Sequence, residues 1–296
     1  MFRTIPMLFV VIILFFVVAS GAQEAPLTIA ASIPPLCDFV KQVGGERVEV
    51  IQLVPNGFNP HAYEPTPRDV QKMAQAKVVF LVGLGFDTVF EKLLQGVDET
   101  KPVVLVGEGL EILSEEEDGK VFPDPHVWVS LRNAQQIVDT ITRSLSTLDP
   151  ERKAWYEERA SGYKKKLQQL DAWFVTEIEK MQNRSFVASH NAWSYMARDY
   201  GLLLQGVIEK APEREPTPQE LRELIETMNN EGVRVVFAEP QFNQKIAQVL
   251  AQETKSTIIE LDPLGVFPDT PYLELMQRNF MQILKGLSAN TKTESY

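Results

Sequence analysis

Eight short apolar, β-branched runs recur along the chain, at 27–31, 48–54, 78–82, 103–106, 186–188, 202–207, 233–237 and 257–261. Helical patterning separates most of them, and such alternation predicts parallel sheets covered by helices on both faces. Two helix starts are written nearly alike. Thr66-Pro67-Arg68-Asp69 places Thr at an N-cap, Pro at the first helical position and an acid at the third. Thr217-Pro218-Gln219-Glu220 repeats the arrangement as a full capping box. A Val-Val-Phe strand follows each, at 78–80 and 235–237, so the chain reads as two similar α/β halves.

Between the halves, residues 149–183 carry no strand signal and no proline after Pro150. Asp149 can cap, Pro150 suits a first turn, and Trp155, Leu167, Leu170, Phe174, Ile178 and Met181 recur at broadly helical spacing. Some 30 residues rising 1.5 Å each predict a helix on the order of 45 Å long, a stiff link between the halves. Gly162 argues against perfect continuity, because an interior Gly costs ~1 kcal/mol relative to Ala. The expected division is a leader at 1–22, a first α/β lobe at 23–148, a linking helix at 149–183 and a second lobe at 184–296. The leader has Arg3 in a positive start, an apolar run over 7–18 and small residues at 19–22, the pattern of a cleavable signal peptide. Its apolar run falls short of the roughly 20 residues a spanning helix needs. No cysteine closes the segment, since Cys37 is the only one in the chain. The expectation is therefore a periplasmic or otherwise extracytoplasmic protein without a lipobox cysteine.

That single Cys also excludes a disulfide framework and Cys-rich zinc fingers. A net charge of −11 makes the chain a poor ligand for nucleic-acid phosphates. Only three histidines are present. His61 lies in Asn59-Pro60-His61-Ala62-Tyr63, His126 in Asp124-Pro125-His126-Val127-Trp128, and His190 directly follows the apolar run at 186–188. All three fall in loops or at strand ends, and ligands of parallel α/β sheets bind beyond the carboxyl ends of strands. Imidazole is the commonest protein metal ligand, so the three together point to zinc or a similar ion. His190 is further expected at a helix N-terminus, whose dipole disfavours imidazolium. A carboxylate ligand would come from a late strand end, where Asp262 and Glu239 both stand. Asp262 precedes Pro263 and is equally a turn former; spacing alone leaves the choice open.

The segments Asn59–Pro67, Asp124–Trp128 with Asn133-Ala134, the strand-end His190, Glu239-Pro240-Gln241-Phe242 and Leu261–Gly265 together resemble the zinc/manganese solute-binding proteins of ABC importers, the ZnuA/TroA-like family. The resemblance covers essentially the whole chain beyond the leader. It implies His61, His126, His190 and Asp262 as the metal ligands, favouring Asp262 over Glu239. It also implies two lobes, each a roughly four-stranded parallel sheet flanked by helices, joined by one long rigid helix with the metal in the interlobe cleft. Three departures stand out: Asn59 where the family usually has Asp, Ser130-Leu131 where Asp-Pro is common, and the acidic run Glu115–Asp118 in place of a His-rich loop. Such a run reads as a solvated loop.

The function implied is capture of one divalent cation, Zn2+ ahead of Mn2+, and delivery to the membrane permease of an ABC importer by a monomeric carrier. A filled four-coordinate shell suits holding a metal, whereas catalytic zinc keeps a position open for water. No His-Glu-x-x-His or Walker loop is present. The alternatives are an exported zinc-dependent hydrolase, with Glu64 or Glu239 as base, and a surface adhesin holding metal structurally.

Overall fold

In the computed structural model, which describes residues 25–117, 119–210, 214–268 and 270–290, the eight apolar runs form two parallel sheets of four strands. The first comprises β1 (Leu27–Ala31), β2 (Val48–Gln52), β3 (Val79–Leu81) and β4 (Val103–Leu105), with helices α1 (Pro34–Gly44), α2 (Pro67–Gln75) and α3 (Thr88–Val97) as crossovers. A hairpin of β5 (Ser114–Glu117) and β6 (Lys120–Pro123) follows, then α4 (Leu131–Leu148) and α5 (Lys153–Ile178). The second sheet comprises β7 (Ser185–Ala188), β8 (Leu203–Val207), β9 (Val235–Ala238) and β10 (Thr257–Glu260), crossed by α6 (Ser194–Tyr200), α7 (Pro218–Asn230) and α8 (Gln244–Thr254). Helix α9 (Tyr272–Asn290) closes the described chain. The expected leader at 1–22 lies outside the described residues.

The strand orders are β2-β1-β3-β4 and β8-β7-β9-β10, the same topology written twice. The matching helix starts fall at matching places, since α2 leads from the second strand of its sheet to the third and α7 does likewise. Both carry capping boxes. In the first, Asp69 accepts from the Thr66 amide at 2.9 Å, the Tyr63 hydroxyl at 2.8 Å and Lys72 Nζ at 2.8 Å. An N-cap of this kind contributes about 1 kcal/mol. The central strands β3, β7 and β9 are buried throughout and β1 over Ile29–Ala31, as parallel strands with helices on both faces must be.

α5 runs unbroken through Gly162 for 26 residues, about 39 Å at 1.5 Å per residue. It begins later than the sequence suggests, because Pro150–Arg152 form a short 3-10 turn and Asp149 accepts from the Tyr156 hydroxyl instead of capping. Tyr156, Ala160, Tyr163, Leu167, Phe174 and Ile178 make its buried stripe. Phe174 stacks on Phe280 of α9 with centroids 3.9 Å apart, and Tyr272, at the start of α9, meets Phe39 of α1 edge-on at 4.5 Å. One apolar cluster therefore reaches from Phe39 and Trp128 to Phe186, Phe237 and Phe280.

The acidic run is not a plain loop. Ser114–Glu117 pairs antiparallel with Lys120–Pro123. Gly119 at its turn has φ +72, a conformation that glycine adopts without strain. The Asp118-Gly119 pair was the available hairpin signal.

Candidate metal centre

Each histidine is presented by a loop whose backbone is braced. His61 sits in the 3-10 turn Pro60–Ala62, where the Asn59 side chain accepts from the His61 amide at 3.0 Å. That is the use of Asn at this position: it caps the turn. The Phe86 ring meets the His61 ring edge-on at 5.0 Å. His126 follows the hairpin. Asp124, fully buried, accepts from the His126 amide at 2.9 Å and faces its Nδ1 at 2.8 Å. The Tyr195 hydroxyl donates to the Asp124 carbonyl at 2.7 Å, tying α6 to this loop. Ser130 caps α4 by accepting from the Asn133 amide at 3.0 Å, so the family's Asp-Pro is replaced by a working cap.

His190 lies two residues past β7. The expected helix N-terminus is displaced, since α6 begins only at Ser194. Its Nδ1 lies 2.9 Å from Oε1 of Glu239, which stands at the end of β9 and is buried. The same oxygen accepts from Trp193 Nε1 at 3.0 Å.

The three rings converge through their other nitrogens. Nε2 of His126 lies 3.1 Å from Nε2 of His61 and 3.3 Å from Nε2 of His190. Among the described residues these three histidines form the group of potential donors, all mutually within 4.8 Å. A tetrahedral zinc with Zn–N bonds of about 2.0–2.1 Å would set its nitrogens about 3.3–3.4 Å apart, so the spacing suits that ion. Burial, reinforced by the neighbouring imidazoles, pushes the His61 pKa down to about 2 and holds His126 well below the usual histidine range. Both are thus neutral at pH 7, the form that binds metal. Burial pushes the Asp124 carboxyl up to about 6.

Asp262 is not in the group. Its Oδ1 accepts from the amides of Leu264 at 3.0 Å and Gly265 at 2.9 Å, and its Oδ2 from Val266 at 2.7 Å. Gln241 Nε2 adds a contact at 3.3 Å. The carboxylate is occupied in shaping its own turn. Glu239 lies behind His190 instead of beside its Nε2. Asp124 was not singled out as a partner in the sequence, although an Asp two residues before a histidine, with Pro between, is a readable sign.

The rings open onto a cleft of about 510 Å³ walled by Tyr63, Leu84, Phe86 and Phe122, with Asn191 and Lys210 at its polar side. Direct bonds cross the interlobe boundary beneath it. Trp128 Nε1 donates to the Pro263 carbonyl at 2.8 Å, and Asn56 Nδ2 to the Gly265 carbonyl at 2.6 Å.

Two α/β units of one topology lie around a cleft onto which three converging imidazoles open, a donor set able to hold one metal ion. The chain belongs to the ZnuA family, zinc-uptake complex component A, periplasmic, whose model matches residues 29–286. This is a family of solute-binding proteins, not of enzymes. The zinc-binding lipoprotein AdcA of Streptococcus pneumoniae is 31% identical over 301 residues, covering 95% of this chain and 59% of AdcA. This chain therefore spans less than two thirds of that relative. The manganese ABC transporter substrate-binding lipoprotein PsaA of Streptococcus mitis is 28% identical over 309 residues, covering 96% of this chain and 98% of PsaA. A crystal structure of ZnuA superposes with a TM-score of 0.81 at 29% identity, covering 88% of this chain and 99% of that one.

These relatives correct the expected localisation. AdcA and PsaA are named as lipoproteins, against the reading of an exported chain with no lipobox cysteine. That reading rested on finding no cysteine just past residue 22.

Proposed function

We propose that this chain captures one divalent transition-metal ion, zinc in preference to manganese, through Nε2 of His61, His126 and His190, and hands it as a monomer to the membrane permease of an ABC importer. The carrying observation is the convergence of three imidazoles, two of them buried, with donor nitrogens all within 4.8 Å of one another. Three nitrogen donors form a softer set than a carboxylate-rich one, which favours zinc over manganese. Asp262 completes the shell only by giving up its bonds to the 264–266 amides, so it is the weakest of the expected ligands. In this reading residues 23–148 and 184–296 are the lobes and 149–183 the stiff link, which limits capture to small movements of the loops around the site.

Raw affinity follows an order that places zinc above manganese for any such site, so binding in vitro does not by itself identify the cargo. The test is metal analysis of the protein purified from its native compartment, together with titration of the stripped protein. One equivalent of zinc is expected in both. Manganese in the native protein would overturn the zinc assignment, and no uptake of any divalent ion would overturn the function.

A further inference from the structure

A side chain from the second half closes the base of the hairpin in the first. The β5–β6 ladder runs from Glu117 opposite Lys120 to Ser114 opposite Pro123, so Leu113 and Asp124 face each other next. Opposed residues at a hydrogen-bonded position of an antiparallel pair exchange two backbone bonds. One of the two is direct, the Asp124 amide donating to the Leu113 carbonyl at 2.8 Å. The other is relayed. The Leu113 amide donates to the Tyr195 hydroxyl at 3.1 Å, and that hydroxyl donates to the Asp124 carbonyl at 2.7 Å. Tyr195 is fully buried, so its hydroxyl stands in the ladder where the last backbone bond would be. It belongs to α6, which begins at Ser194, four residues after His190. Asp124 stands two residues before His126. Beyond that histidine, the Ser130 hydroxyl donates to Asp199 of the same helix. The loop bearing His126 is therefore held to α6 on both sides of the histidine.

We propose that Tyr195 is a positioning residue for the metal: by occupying the last rung of the hairpin, its hydroxyl sets the separation of His126 from His190. The inference rests on the metal-binding reading above. The two rings come from different halves, and their Nε2 atoms lie 3.3 Å apart at the ends of two short stretches of chain that meet at this hydroxyl. A binding constellation has to be held within about 0.5 Å of its productive geometry. Without the hydroxyl, Leu113 and Asp124 are free to bond directly, which draws the Asp124 backbone, and His126 after it, away from α6. The Tyr195 ring packs the core either way; the hydroxyl is what spaces the ligands.

The test compares two hydroxyl deletions on the same helix of the full chain. Tyr195→Phe keeps the ring and removes the relay. Tyr200→Phe removes a bond of the same kind, from the Tyr200 hydroxyl to Asp171 of α5 at 2.8 Å, which does not reach the His126 loop. Both should lower the melting temperature of the stripped protein, since each loses a hydrogen bond of a buried residue. Tyr195→Phe alone should weaken zinc, by about 10-fold in competition titrations. It alone should also change the visible d–d spectrum of the protein loaded with Co2+, which reports the geometry of the donor shell. Hydrogen exchange on the wild type tests the relay even if Tyr195→Phe fails to fold, because the Leu113 amide should be as protected as that of Asp124. Wild-type zinc affinity in Tyr195→Phe, an equal loss in Tyr200→Phe, or rapid exchange at Leu113 would overturn this inference and leave the function standing. A wild type that takes up no metal would fail the function itself, and the inference with it.

Discussion

The two sheets share one strand order but use the same topological position for different ends. In this order the crevice opens where the chain reverses direction, between the first and third strands. In the second half those strands are β7 and β9, and their carboxyl ends deliver His190 and Glu239 2.9 Å apart. In the first half the corresponding strands are β1 and β3. There the crevice is filled by Asp87, buried, whose carboxylate accepts from the amides of Val82 and Gly83. The first half instead delivers its histidines on longer excursions, His61 from the loop after β2 and His126 from beyond the hairpin. One copy of the fold is thus a rigid floor with its ligand at a strand end. The other is an arm that brings ligands over on braced loops, and His61, at its tip, is the least buried of the three.

The largest expected effect is loss of a histidine from either half. His126→Ala and His190→Ala should each weaken zinc by more than the roughly 100-fold typical of losing an outer partner, with the unloaded fold retained. Calorimetric titration checks this. Wild-type affinity in either variant would remove that half from the site. Next comes the plugged crevice. Asp87→Asn should cost about 1–3 kcal/mol of stability, because a buried acceptor of two amides is weakened, and should leave zinc affinity unchanged.

That variant also carries a pH signature. Burial raises the Asp87 carboxyl from 3.8 to about 7 in the folded protein. The folded state therefore holds this proton more tightly than the unfolded chain. Its contribution is complete below about pH 4 and is lost as pH rises through 7. Thermal melts from pH 4 to 8 should show a wild-type decline with rising pH, relative to Asp87→Asn. Parallel melting curves would show that the first crevice is not the neutral plug described here. The smallest effect is expected at Asp262→Ala, less than about 10-fold in zinc affinity, equivalent to less than about 1.4 kcal/mol. A loss as large as that of a histidine would mean that the 262–266 turn releases its carboxylate to the metal.

Much of this was legible because it is periodic or local. The eight runs, the Thr-Pro capping sequences and the long polar stretch after Asp149 each state their structure within a few residues, and the echo between Thr66 and Thr217 marks a real repeat of topology. The three histidines stood out by scarcity. What was not legible depends on where side chains point. Asp262 and Glu239 look equivalent as strand-end carboxylates, yet one turns back onto the amides of 264–266 and the other faces His190 across the sheet. The hairpin was obscured by charge, since Ser114–Glu117 shows no apolar alternation and is held by backbone pairing.

The central claim is that loops of one half and a strand end of the other supply three imidazoles to a single ion. X-ray absorption at the zinc edge of the stoichiometrically loaded full chain tests it most directly. The account predicts three imidazole nitrogens at about 2.0–2.1 Å, with any fourth donor a light atom. A zinc shell with two or fewer imidazoles, made up mainly of oxygen, would contradict it.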